Sequence, residues 1–170
     1  MNEVMVTCED NHLKVFYQDT DSCHIPRRAV PILEGLYKHK YGRELRGKNL
    51  GQFHGDFDSD ILEGEVYAVE SVFLGKKVYV DKLTDGKTKD SDGNLIYDYH
   101  SRMKGVNKCG LKHRRDTTYD GDVMAMYHDM FDGKEVGFDM CGGGTMPTFD
   151  YQRNGDITSK REFIRRVKFH

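Results

Sequence analysis

No apolar run in these 170 residues approaches the length that a bilayer demands, which excludes a helical membrane span. The opening Met1-Asn2-Glu3 lacks the basic start and apolar stretch of a secretory signal. The four cysteines (Cys8, Cys23, Cys109, Cys141) are scattered without paired spacing, so no disulfide framework is written here. Reduced thiols in an intracellular protein are the expectation. Internal repeats and linker-like stretches are missing too. With a formal net charge of −2 the chain has no basic surplus, so total charge alone does not make it a nucleic-acid binder.

What is present suits a folded polar-surfaced protein. Charged residues make up 32% and hydrophobic ones 37%, and the length allows one domain, or one and a fraction, with a real core. The basic residues are grouped: Lys76, Lys77 and Lys82; then Arg102, Lys104, Lys108, Lys112, Arg114 and Arg115; then Lys160, Arg161, Arg165, Arg166 and Lys168. Acidic residues gather elsewhere, from Asp56 to Glu65 and from Asp116 to Asp122. Such segregation is compatible with a positive groove on a near-neutral molecule, although a charge run by itself is usually a solvated face.

The most informative segment is Tyr17-Gln18-Asp19-Thr20-Asp21-Ser22, between the apolar stretches Leu13–Phe16 and Cys23–Ile25. It reads as the tip of a β-hairpin with strands over Leu13–Tyr17 and Ser22–Ile25. Two carboxylates one residue apart at such a tip repel each other, and a divalent cation relieves that repulsion. Hard oxygen ligands suit Mg²⁺. Asp-Thr-Asp-Ser is also ordinary turn chemistry, because Asp and Ser bond their own backbone.

Farther along, Pro31 fits a first helical position, with Ile32, Leu33, Leu36 and Tyr37 on one stripe and Gly42 as C-cap. Glu65–Leu74, rich in Val, Tyr and Phe, reads as a central strand, Lys76–Leu83 as its neighbour and Leu95–His100 as a return strand. The acidic turn Asp85–Asn94 lacks the closing Glu of a calcium loop. Val123, Met124, Met126, Tyr127, Met130 and Phe131 recur at helical spacing, with Asp120 or Asp122 as cap and Gly133 at the end. Val136–Met140, Met146–Tyr151 and Phe163–Phe169 read as short strands. Cys141-Gly142-Gly143-Gly144-Thr145 lacks the Lys of a phosphate loop and reads as a turn.

A second constellation is Phe73-Leu74-Gly75-Lys76-Lys77-Val78-Tyr79. Strand alternation would put Lys77 and Tyr79 on one side, a cation beside a phenol, a pair suited to a phosphate and its neighbouring sugar.

The order of motifs resembles that of protein-primed family B DNA polymerases. It runs Tyr17-x-Asp19-Thr20-Asp21-Ser22, then Gly42-Arg43-Glu44-Leu45 and Leu50-Gly51-Gln52-Phe53-His54-x-Asp56-Phe57. Ala68-x-Glu70, Leu74-Gly75-Lys76-Lys77-x-Tyr79 and His100-Ser101-Arg102-Met103-Lys104-Gly105-Val106 follow. The resemblance implies an α+β fold: a partial palm over residues 1–110, with an antiparallel sheet, the metal-binding hairpin and one packing helix, then a small thumb over 111–170. It implies that Asp19 and Asp21 are the metal-binding, catalytic carboxylates for two Mg²⁺ ions. Tyr17 and Thr20 would shape the site at the primer end, and Lys77 and Tyr79, with Arg102 and Lys104, would hold the primer strand. The implied partners are DNA primer–template, dNTP, an N-terminal polymerase piece and a terminal priming protein, with no membrane.

The family's other palm aspartate, its fingers lysine and its exonuclease all precede this hairpin, so the chain is expected to be the C-terminal part of a larger enzyme and inactive alone. Three further readings stay open: a DNA-binding module without catalysis, a two-metal nuclease completed by Asp56, Asp58 or Glu70, and a zinc site from Cys109 and His113 with Cys23, His24 or Cys141.

Overall fold

The computed structural model describes residues 1–169 of an α+β chain with four helices, separate antiparallel sheets and two compact units, Met1–Tyr67 and Ala68 onward. None of its helices is long and apolar enough to cross a membrane.

The first unit is built on two helices. Helix α1 (Asn2–Asp10) buries Val4, Thr7 and Cys8, three residues at one-turn spacing. Helix α2 (Val30–Tyr41) has Pro31 in its first turn and ends on Gly42 at φ +70°, the left-handed C-cap that a glycine tolerates without strain. The two helices close on Val4, Cys8, Leu33, Tyr37 and Leu45, and Leu13, Val15, Cys23 and Ile25 pack against that cluster. Tyr37 donates its hydroxyl to Glu3 Oε2 at 2.5 Å, and Arg43 also binds that carboxylate. Those two partners hold the Glu3 carboxyl below the usual range. Strands β1 (Tyr17–Asp19) and β2 (Ser22–His24) form a two-stranded sheet of their own, shorter than the alternation predicts.

The second unit is centred on a three-stranded sheet of β3 (Tyr67–Gly75), β4 (Val78–Thr84) and β5 (Asp98–Met103), in that order. The sequence pointed to Glu65–Leu74 as the central strand, but β4 lies in the middle. Apolarity on both faces misled because Val69 is exposed on an edge strand, whereas β4 is buried nearly throughout. Val72, Val78, Val80 and Met103 pack against α4 (Val123–Phe131), whose Met124, Met126, Tyr127 and Met130 fill the core together with Val136 and Phe138. Asp122 caps α4 by accepting from the Ala125 N–H at 3.0 Å. The return strand starts at Asp98 rather than Leu95, because Asp85 and Asp90 turn their carboxylates onto nearby backbone N–H groups and lengthen the loop.

Beside the short 3₁₀ turn Arg27–Ala29, three elements were not expected. Helix α1 is one. Helix α3 (Lys108–Thr118) is another, capped by Asn107, whose Oδ1 accepts from the Gly110 N–H at 2.7 Å. The third is β8 (Ile157–Lys160), which pairs with β7 (Thr148–Tyr151), while β6 (Val136–Asp139) pairs with β9 (Ile164–Val167). Position 110 falls inside α3.

Candidate metal hairpin and nucleic-acid interface

Tyr17, Asp19, Thr20 and Asp21 come together on one hairpin in the first unit. Tyr17 stands opposite His24, Gln18 opposite Cys23 and Asp19 opposite Ser22, which leaves Thr20 and Asp21 as a two-residue turn. The pairing is firm at its base, where the Tyr17 and His24 rings meet edge to face at 5.5 Å and Phe16 N–H donates to the His24 carbonyl at 2.8 Å. At the tip, the Ser22 hydroxyl donates to the Asp19 carbonyl at 3.1 Å and the Thr20 hydroxyl to Asp19 Oδ1 at 3.3 Å.

Thr20 sits at φ +55°. A β-branched residue in the left-handed region is a genuine outlier, costing on the order of 1 kcal/mol or more. A plain turn would be better served by Asn or Gly there. The strained Thr holds Asp21 exposed at the apex, beside the half-buried Asp19. The donors fit a hard cation in kind, since carboxylates are what Mg²⁺ prefers, but they supply only part of an octahedral shell. Among the described residues no group of three or more His, Cys, Asp or Glu side chains converges on one point. Of the acids considered for a nuclease completion, Glu70 meets His128 Nε2 at 2.9 Å within the second unit. Of the residues considered for a zinc set with Cys109 and His113, Cys141 directs its Sγ to the Lys160 carbonyl at 3.6 Å.

Lys77, Tyr79, Arg102 and Lys104 come together in the second unit, at one end of its sheet. Tyr79 lies directly across from Arg102 in the β4–β5 register, and the Lys104 N–H donates to the Lys77 carbonyl at 2.9 Å. The shared strand face expected for Lys77 and Tyr79 is not what forms. Lys77 occupies the two-residue turn Lys76–Lys77 at φ +62°, so alternation begins only at Val78. Tyr79 is not a free-standing ring either. It is buried, with its ring 5.9 Å from Phe73 and 5.7 Å from His100.

Arg165, grouped in the sequence with the C-terminal basic residues, joins this end. Gly105 has φ +89°, and a Cβ built there would lie 2.7 Å from the Arg165 guanidinium. The Lys104-Gly105 turn uses glycine for its left-handed backbone, and the missing side chain leaves room for Arg165 to lie against it. Lys76, Lys77, Arg102 and Lys104 are all exposed. No protein-family model, curated protein or solved structure matches this chain.

Beneath the cations the sheet carries a buried acid. Asp81 is fully buried, two residues beyond Tyr79 and opposite His100 in the register. The Ser71 hydroxyl donates to its Oδ1 at 2.6 Å, and His100 Nδ1 lies 3.3 Å from its Oδ2. The Tyr127 hydroxyl donates to the Arg102 carbonyl at 2.8 Å, and burial pushes that phenol well above its ordinary range, so it remains a donor. The second unit therefore fixes its basic edge from below with polar contacts on β3, β5 and α4. The signal in the sequence was Asp81 directly after the apolar run Val78-Tyr79-Val80.

Proposed function

We propose that this chain is the metal-hairpin, primer-strand and thumb portion of a DNA-directed DNA polymerase of the protein-primed family B type. The observation that carries the reading is the hairpin itself. It is a two-residue turn with two carboxylates, closed on a Tyr–His pair and strained at a β-branched Thr, where turn chemistry alone calls for Asn or Gly. The basic sheet end supports it, since Lys77, Arg102, Lys104 and Arg165 form the kind of grip that positions a phosphate backbone without reading sequence.

In this reading Asp19 and Asp21 hold Mg²⁺, which when bound neutralises the triphosphate and activates the primer hydroxyl. Asp21 is the main ligand and Asp19 the more peripheral one. Tyr17 and Thr20 border the primer terminus. A separate segment must supply the opposing carboxylate, because two acids on one hairpin do not complete two octahedral shells. The partners are then primer–template DNA, dNTP and the polypeptide that brings the missing ligand.

The test is primer extension with the purified chain, alone and mixed with a polypeptide carrying the missing palm aspartate and fingers lysine. Extension only in the mixture, dependent on Mg²⁺, is the expected result. DNA binding that ignores both Mg²⁺ and Asp21→Asn, with no extension in any mixture, would favour the non-catalytic DNA-binding module.

A further inference from the structure

We propose that Cys109, His113 and Met146 form a binding site on the second unit for a soft monovalent metal ion, copper(I) being the cation of that class. Cys109 and His113 are four residues apart on α3, so they share a face with their Cβ atoms about 5–6 Å apart. The Cys141–Met146 loop lies on that face. It is pinned by Gly142 N–H to the Asp139 carbonyl and Met146 N–H to the Cys141 carbonyl, both at 2.9 Å, and the helix start is tied to it by Asn107 Nδ2 donating to the Met140 carbonyl at 2.7 Å.

Gly142, Gly143 and Gly144 have φ of +59°, +70° and +84°. A Cβ at 142 would come 3.0 Å from Cys109 Cβ, and one at 143 would come 2.7 Å from His113 Cε1. The glycine run therefore does more than turn the chain. It lays the loop on the cysteine and the histidine, and its far end delivers Met146 Sδ to 3.0 Å from Cys109 Sγ.

The donor chemistry selects the ion. A thiolate, a thioether and an imidazole are soft or borderline ligands, which favour copper(I) and offer nothing to Mg²⁺ or Ca²⁺. Structural zinc takes thiolate, imidazole and carboxylate, not thioether. Asp139 does not supply a hard oxygen, because it accepts from Cys141, Gly143 and Phe163 N–H groups at 3.0, 2.8 and 3.2 Å. Lys108, Lys112, Arg114 and Arg115 on the same helix disfavour extra positive charge, which again suits a monovalent ion. At bond lengths of about 2.3 Å the two sulfurs must move apart to about 4 Å, and the unbranched Met side chain allows that. Met146 is 52% exposed, so the site is open to entry.

The experiment titrates the full chain, reduced and free of metal, with copper(I) against a chromophoric copper(I) chelator. One equivalent should bind. Met146→Leu, which keeps the volume at an exposed position, and Cys109→Ser should each weaken binding about tenfold or more, given that even outer-shell losses reach that size. Cys23→Ser should leave binding unchanged, since burial pushes the Cys23 thiol up and away from the thiolate form. Silver(I), a spectroscopic stand-in, should shift the Met146 methyl resonance. Unaltered affinity in Met146→Leu, or binding that survives Cys109→Ser and vanishes in Cys23→Ser, would overturn the proposal.

Discussion

The Lys104 N–H donates to the Lys77 carbonyl at 2.9 Å, so the turn that follows β5 is bonded to the turn that precedes β4. Two cations 27 positions apart in sequence are thereby set at one sheet end by main chain rather than by side-chain chance. Arg102 opposite Tyr79 and Arg165 against Gly105 complete the group.

If that end grips phosphates, Lys77→Ala and Lys104→Ala should each weaken binding to primer–template about equally across sequences. Each should also reduce the salt slope by about one unit. Lys77→Gly should bind as poorly as Lys77→Ala yet fold better. Relief of the left-handed backbone, on the order of 1–2 kcal/mol, outweighs the extra freedom of the unfolded glycine chain, about 0.5–1 kcal/mol. Salt-dependent binding isotherms beside urea melts check both halves.

Asp21→Asn keeps the shape of the hairpin tip and removes the charge that gathers metal. In the complemented enzyme the chemical rate should fall by about a thousandfold or more, with primer affinity little changed. Single-turnover extension and DNA titration on the same sample distinguish this from the lysine variants. Intact extension in Asp21→Asn would leave the hairpin as a turn and nothing more.

Asp81→Ala should destabilise the protein by about 3 kcal/mol, because it strands the Ser71 hydroxyl and His100 Nδ1 beside a cavity. The urea midpoint reads this directly. Its near-isostere Asp81→Asn should fall between the two.

Burial pulls the Asp139 carboxyl up, but the backbone N–H groups of Cys141, Phe163 and Gly143, with His113 nearby, outweigh it and hold the carboxyl low. A folded-state value below the unfolded one, about 3.9, adds stability that is present above that pH and lost as pH falls through the folded value. Wild type should therefore lose stability on acidification below about pH 4 more steeply than Asp139→Asn. Urea midpoints measured across that range give the comparison.

Local rules made part of this fold legible. Pro31 and Gly42 bracket α2, Asp122 caps a methionine-rich stripe, and Asp19-Thr20-Asp21-Ser22 closes a hairpin, each because one or two side chains decide the backbone. Other parts needed tertiary context. Helix α1 has no side-chain cap, and only Val4, Thr7 and Cys8 betray its buried face. In α3 Gly110 alone is buried, so its stripe is invisible and the Asn107 cap was its one sign. The strand β8 is entirely exposed and carries no alternation, although Asn154-Gly155 marked the turn before it. For the site, residue types were readable, but Lys77 at a turn and Arg165 against Gly105 depend on φ values and close approaches that no spacing encodes.

The β7–β8 ribbon has a consequence for how this protein comes apart. Phe149, Tyr151 and Ile157 are 61%, 78% and 59% exposed, so the ribbon buries little and is held by its ladder, by the Lys160–Asp150 ion pair at 2.5 Å and by Cys141 Sγ on the Lys160 carbonyl. An isolated two-stranded ribbon is marginal in water, and a surface ion pair adds little. Its amides should exchange with solvent by fraying at little cost, while those of β4, locked between two strands and packed on α4, exchange only when the whole unit melts. A protease that cuts near Asn154 would leave Lys77, Arg102 and Lys104 covalently on the sheet, while Arg165 would stay only through the β6–β9 pairing.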